Sequence, residues 1–485
     1  MLGWLRILRT VSVVVALVLV PARAALAEAP KSSATSAALE QELTVLEAWV
    51  HEHGGRLSAS FVRVEDGRVL AQSGADQALN PASNAKLLTA GAVLSALGPS
   101  HQFHTGVYGS IARGEASTLV LRGDGDPSLS AADLDALVSV LLGKGLRKVG
   151  TVQVDQSRFD DHFVPPAFEQ QPNEWAAFRA PVSAVAVAEN ALTVFVDATR
   201  AGQPARVWVE PPGAATLSGT VTTAARGKGQ AVRVSVKAGS GPLQVVVGGR
   251  IAEGLPMMVS RRRVDDPRRL PGYVFVELLK RRGVTVSGGV VEGGAAETHA
   301  LALHTSEPLA VLLFALGKNS DNFAAEMMLK ALGAHASGGV GTSAAGAKAV
   351  QDWVSGLGVS HSGLVIRNGS GLFDANRVSA GTLTGVLRHA YQSPSLKVDY
   401  LAQLSIGGVD GTLRSRFRTH ANERNVRAKT GTLARVIALS GILLAPPGHS
   451  PIAFSVIVDG VPGRHAQTRK RVDRAVERAF DALGK

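Results

Sequence analysis

Three short strings in this chain carry side chains that could do covalent chemistry. Ser83 and Lys86 stand three apart at the head of the apolar stretch "NPASNAKLLTAGAVLSAL", a spacing that lets both project from one side of a helix start. A lysine desolvated by such a helix loses proton affinity and could act as a base toward a serine nucleophile. The bland alternative is an N-cap and a first-turn lysine, since a chain of this size holds roughly one Ser-x-x-Lys by chance. Ser320-Asp321-Asn322 precedes a second helical stretch and, taken alone, reads as an N-cap. Lys429-Thr430-Gly431-Thr432 falls in a predicted strand, where lysine and glycine are poor choices. By composition Lys-Thr-Gly should occur only about a tenth of a time. Each string occurs once, in the order Ser-x-x-Lys, Ser-x-Asn, Lys-Thr-Gly, and the conjunction is specific.

Chemistry at these positions requires a buried helix for the first pair, a helix start for the second string and a strand for the third. Leu87, Leu88, Val93, Leu94 and Leu97 leave no polar face, so the first helix is expected to be central. Ahead of it the pattern predicts a helix over 38–52 and strands over 56–64 and 69–72. From about 103 to 265 short runs rich in valine and threonine alternate with Gly and Pro turns, interrupted by a helix over 131–144. This block reads as one or two strand-rich insertions. Helices return over 272–282, 308–316, 322–332, 343–357 and 379–393. Strands follow over 426–432, 436–444 and 452–458. The final helix places Val472, Ala475, Val476, Ala479, Phe480 and Leu483 at helical spacing, a stripe expected to pack on a sheet despite the arginines opposite.

Composition narrows the class. The first 27 residues have basic Arg6 and Arg9, an apolar run over 11–20 and small residues in "PARAALAEAP". That layout predicts a secretory signal cleaved after Ala27, or after Ala24, and the run is too short to span a bilayer. Cysteine is absent, so neither disulfides nor a cysteine-borne lipid anchor is expected. Loss of Arg6, Arg9 and Arg23 takes the formal charge from +12 to +9, which suits an anionic envelope surface. Scattered basic residues and 5% aromatics argue against nucleic acid. His51-Glu52-His53 cannot share a helix face, Asp124 and Asp126 fit a turn, and "FDDHF" reads as loop. No metal or cofactor is expected.

The three strings resemble the active-site set of the penicillin-binding proteins and serine β-lactamases. Ser83 and Ser320 are 237 residues apart (320 − 83), a gap resembling the D-alanyl-D-alanine carboxypeptidase/endopeptidase family, low-molecular-mass class C penicillin-binding proteins with long insertions there. The stretches "LRGDGDPSL", "APVSAVAVAEN", "RRVDDP", "SDNFAAEMMLKALG", "GGVDGTLRSRF" and "RAKTGTLARVIALSG" are similar to it as well. One departure is Asn368, where the family usually has aspartate. The resemblance implies an α/β (α+β) fold: an antiparallel sheet flanked by helices, a helical subdomain and inserted strand-rich domains. The expected division is a signal at 1–27, catalytic parts at 28–102 and 266–485, and insertion at 103–265.

The resemblance also implies roles. Ser83 would attack the penultimate D-alanine carbonyl, and Lys86 would take its proton. Ser320 would relay a proton to the departing D-alanine, and Asn322 would hold Lys86 or the substrate amide. Lys429 and Thr430 would bind the terminal carboxylate. Gly431 would keep the strand clear for the peptide, and backbone N–H groups of Ser83 and Thr432 would form the oxyanion hole. Expected partners are peptidoglycan stem peptides ending in D-Ala-D-Ala and β-lactams that acylate Ser83, with self-association and peripheral membrane contact left open. The location is the periplasm or cell-envelope exterior. A β-lactamase or esterase on the same scaffold is the enzymatic alternative, although no convincing deacylation base is evident and Glu189 lies in insertion-like text. A non-catalytic wall-binding protein is the other.

Overall fold

The computed structural model describes residues 32–238, 241–294, 299–420 and 424–481. The expected signal at 1–27 lies outside the described residues. The chain opens with helix α1 (Ser32–Glu52), strands β1 (Arg56–Arg63) and β2 (Val69–Ser73), and a 3-10 turn (Ala82–Asn84) that runs into α2 (Ala85–Leu97). Then come β3 (His104–Gly109), β4 (Glu115–Gly123), α3 (Ala131–Gly143) and β5 (Lys148–Asp155). Six strands follow: β6 (Ala191–Asp197), β7 (Arg206–Glu210), β8 (Ala215–Ala224), β9 (Gln230–Lys237), β10 (Leu243–Ala252) and β11 (Met258–Arg263). After α4 (Leu270–Arg281) come β12 (Thr285–Val286), β13 (Val290–Glu292) and β14 (Ala302–Thr305). Helices α5 (Leu309–Lys318), α6 (Asn322–Ser337), α7 (Ser343–Gly356), α8 (Ala380–Gln392) and α9 (Lys397–Ala402) precede β15 (Ser405–Ile406). The chain closes with β16 (Val426–Leu433), β17 (Val436–Leu443), β18 (Ile452–Asp459) and α10 (His465–Asp481).

The sheet built from the first and last strands has the order β15-β16-β17-β18-β1-β2 and is antiparallel throughout. Every residue of β17 is buried, as a strand covered on both faces requires. One face packs on α1 and α10, where Leu39, Leu43, Val472 and Val476 meet Phe61, Leu439 and Phe454. The apolar stripe of the last helix thus packs on the sheet as its spacing predicts; Leu483 lies outside the described residues. The other face packs on α8 and a helical layer of α2, α5, α6 and α7, through residues such as Leu88, Leu313, Met328, Val350, Leu383 and Ile457. Helix α2 is buried along almost its whole length.

The insertion contains a mixed sheet, β12-β5-β4-β3-β14 with β13 also on β5, and a small two-sheet sandwich, β11-β6-β7 against β8-β10-β9. Pairing carries the inserted layer beyond the expected boundary at 265. Strands β12 to β14 join β5 and β3, and α4 contributes Val274, Phe275 and Leu279 to the same core as α3. Among the described residues no helix is long and apolar enough to cross a membrane.

Candidate active site

The segment before α2 is held in a tight, partly left-handed path. The Asn80 side-chain Oδ1 accepts from Ala82 N at 2.9 Å, and Ala82 takes φ +47°. Ser83 makes no capping bond to the helix it precedes; its hydroxyl instead meets Lys86 Nζ at 3.0 Å. The N-cap alternative therefore fails for this serine. In the second string the cap is Asp321, which accepts from Ala324 N at 3.0 Å, so Ser320 and Asn322 keep their side chains for other partners. Ser320 sits at φ +59°, a turn that aims it across the groove instead of along α6.

Lys86 is fully buried and has three oxygen partners: Ser83 Oγ, Asn322 Oδ1 at 2.7 Å and the Ser370 carbonyl at 2.8 Å. Two of these can only accept, whereas a hydroxyl can also donate. In the neutral amine, two N–H bonds go to Asn322 and Ser370, and the lone pair is left facing Ser83. Burial lowers the lysine's pKa from 10.5 to about 7, against the opposing charges of Glu326 and Asp321. The second lysine, Lys429, is also fully buried. It donates to Ser320 Oγ at 2.7 Å and to the Thr430 carbonyl at 2.9 Å. Burial, and then the nearby charge of Lys86, push its pKa well down.

Sequence reasoning missed the residues that hold these groups in register. The Asn84 amide donates to the Lys429 carbonyl at 2.9 Å and accepts from Ser440 Oγ at 2.7 Å, tying the residue after the nucleophile to β16 and β17. Thr430 Oγ1 donates to Thr412 Oγ1 at 2.9 Å. Glu326 lies buried below Lys86. Gly431 faces inward: a Cβ there would stand 2.8 Å from the Pro81 carbonyl oxygen and 3.1 Å from Ala82 Cβ. Its bare backbone makes room for the nucleophile segment, while Thr430 and Thr432 alternate to the opposite face. Asn368 donates to the Pro166 and Leu372 carbonyls at 3.0 and 3.1 Å, two bonds that an aspartate could not donate.

Ser83, Ser320, Asn322 and Thr432 share a groove of about 730 Å³ that continues along Leu433–Val436 and the loop Leu372–Asp374. Strand β15 pairs with Arg427 and Ala428, so among the described residues the edge of β16 opposite β17 has no strand beside Lys429–Leu433. The far wall comes from the insertion, through Gln171 and Phe178, and Asn322 Nδ2 donates to the Phe178 carbonyl at 3.1 Å. The other clusters take structural roles. Asp124 accepts from His104 N at 2.7 Å, Asp126 from Ser128 N at 2.8 Å, and Glu189 pairs with Arg261 at 2.9 Å.

Comparison with known proteins places this geometry. The profile of the D-Ala-D-Ala carboxypeptidase 3 (S13) family matches residues 45–480. A D-alanyl-D-alanine carboxypeptidase of Actinomadura sp. (strain R39) is 37% identical over 412 residues, covering 81% of this chain and 75% of that protein. The D-alanyl-D-alanine carboxypeptidase DacB of Haemophilus influenzae is 25% identical over 411 residues, covering 82% and 84%. The crystal structure of penicillin binding protein 4 (dacB) from that organism superposes with a TM-score of 0.75 at 23% identity, covering 89% of this chain and 98% of that one. It has also been solved complexed with a novel β-lactam.

Proposed function

From the premise that the chain belongs to the D-Ala-D-Ala carboxypeptidase 3 (S13) family, we propose that it is a serine-type peptidase of the bacterial envelope that removes D-alanine from peptidoglycan stem peptides, or cuts D-alanyl cross-links, through an acyl-enzyme at Ser83. The observation that carries this reading is the buried lysine pair. One amine aims a lone pair at Ser83, and the other waits beside Ser320 at the free edge of β16.

The steps follow from these contacts. An extended peptide ending in D-Ala-D-Ala lies along β16, and its carboxylate meets Lys429 and Thr430. Burial disfavours a charge on Lys429. An arriving carboxylate restores it, because an opposite charge favours the protonated form. A charged Lys429 in turn disfavours a proton on Lys86, so substrate binding helps to keep the base neutral. Ser83 Oγ attacks the penultimate carbonyl as its proton passes to Lys86. The N–H groups of Ser83 and Thr432 receive the developing oxyanion. As the C–N bond breaks, the proton taken up by Lys86 passes by way of Ser320 to the leaving amine, Lys86 is neutral again, and D-alanine departs. Water then attacks the ester, delivers its proton through Lys86 to Ser83, and frees the shortened peptide. β-Lactams present a similar carboxylate and an acylating carbonyl, and would stop at the ester.

Export through a leader at 1–27 and action at the envelope belong to the same proposal. We assign the catalytic unit to residues 28–102 and the chain from about 306 onward, with the insertion shaping the groove's far wall. The test is incubation of the purified protein with fluorescent penicillin and with a D-Ala-D-Ala peptide. Label that depends on Ser83, together with release of D-alanine, supports the reading. Loss of both would sink it, and rapid antibiotic turnover without D-alanine release would make the protein a β-lactamase.

A further inference from the structure

A buried carboxylate lies beneath Lys86 that none of the steps above uses. Helix α6 places Asn322, Glu326 and Lys330 at successive i+4 positions, on one face. Asn322 accepts from Lys86. One turn deeper, Glu326 is 1% exposed. Its carboxylate accepts from Ser370 N at 2.8 Å through one oxygen and from Gly369 N at 3.1 Å through the other. Both partners are backbone N–H donors, one at each carboxylate oxygen, and they favour the anion, against the burial that pushes its pKa up. The Ser370 residue held this way turns its carbonyl onto Lys86 Nζ at 2.8 Å.

We propose that Glu326 is a positioning residue for the acyl-transfer base, fixing the Ser370 carbonyl that steers the Lys86 lone pair and placing a compensating negative charge beside that amine. The inference rests on the reading of Lys86 as the base. Without the carboxylate, burial would act on Lys86 almost unopposed. The other charged groups around the pair are Asp321 at the cap of α6, Lys330 on α6 itself, Lys429 of β16, and Asp160 and Asp161 beyond β5. Lys330 is itself occupied: its Nζ pairs with Asp160 at 2.5 Å and donates to the His162 carbonyl at 3.0 Å.

The experiment is the acylation rate constant of the full chain with fluorescent penicillin, measured from pH 5 to 10. In the wild type it should rise through about pH 7 as Lys86 loses its proton, and Lys86→Met should abolish it. Glu326→Gln should move that midpoint to lower pH by about one unit or more, and should also lower the plateau, because an amide has only one acceptor for two N–H groups. Glu326→Asp keeps the charge and should keep the midpoint while lowering the plateau. It also serves if the glutamine variant does not fold, since an aspartate midpoint well below the wild type's would equally count against the proposal. A Glu326→Gln midpoint that stays put, over a lowered plateau, would make the residue merely structural. If the wild type has no such limb, or Lys86→Met still acylates, the base reading fails first and takes this one with it.

Discussion

If the N–H groups of Ser83 and Thr432 are the two oxyanion donors, as proposed, the missing side chain of Gly431 sets their separation, and Gly431→Ala tests that. The added Cβ would stand 2.8 Å from the Pro81 carbonyl oxygen, with Ala82 Cβ and Ala438 Cβ at 3.1 Å, whereas ordinary contacts begin at 3.4 Å. None of these atoms is the end of a flexible side chain. On one side is the backbone path to Ser83, bent through Ala82 at φ +47°; on the other is β16, paired with β17 along its length. A movement of about half an ångström must therefore open between Ser83 and Thr432. Overpacking of this kind costs about 1–3 kcal/mol of stability. Misplacing one oxyanion donor costs about 10²–10³ in rate. Gly143→Ala, at the exposed end of α3 with nothing within 4 Å of the new Cβ, is the control and should acylate like the wild type. The assay is single-turnover acylation by fluorescent penicillin, alongside thermal melting. A folded Gly431→Ala protein that acylates within a few-fold of the wild type would refute the reasoning.

Three further outcomes are expected. Lys86 has a folded pKa of about 7 against an ordinary 10.5, so between these values the unfolded chain holds a proton that the folded one does not. Stability should therefore rise with pH across that window by up to about 1.4 kcal/mol per unit from this group, and denaturant titrations of Lys86→Met should show a shallower slope. A peptide ending in D-alaninamide lacks the charge that Lys429 awaits; kcat/KM should fall by about one to two powers of ten, the worth of a charged hydrogen bond, and equal turnover of acid and amide would remove Lys429 from carboxylate binding. Tyr400, buried, donates to the Leu87 carbonyl of α2 at 3.0 Å, so Tyr400→Phe should cost about 1 kcal/mol in urea unfolding and leave acylation unchanged.

The chemistry was legible because its residues are out of place by propensity: a lysine and a glycine in a strand, a lysine in an apolar helix. Their supports carried no such mark. Asn84 lies between two small residues, and its partners are more than 340 positions away. Glu326 and Lys330 have the i, i+4 spacing of a solvated surface pair, yet both are buried and their partners come from other elements. The strands after residue 265 that pair with β5 and β3 were hidden for a different reason. Strands β12, β13 and β14 have two, three and four residues, too short for an alternating pattern to declare itself. The last three strands and most of the long helices fall within a few residues of expectation, whereas α1 begins earlier and α6 ends later than their patterns predict.

The order of the catalytic sheet also governs when the enzyme comes alive. Strand β1 has β18 as its neighbour, with Arg56 opposite Asp459, and the strand carrying Lys429 and Thr432 begins only at Val426. On the proposed roles, a chain still being made holds Ser83, Lys86, Ser320, Asn322 and Ser370 before it owns a second oxyanion donor or a site for the substrate carboxylate. The inserted layer can gather its own strands meanwhile, since all of them lie between residues 104 and 305. On that reading the last strands to be made complete the reactive site, as removal of an inhibitory segment completes a zymogen's.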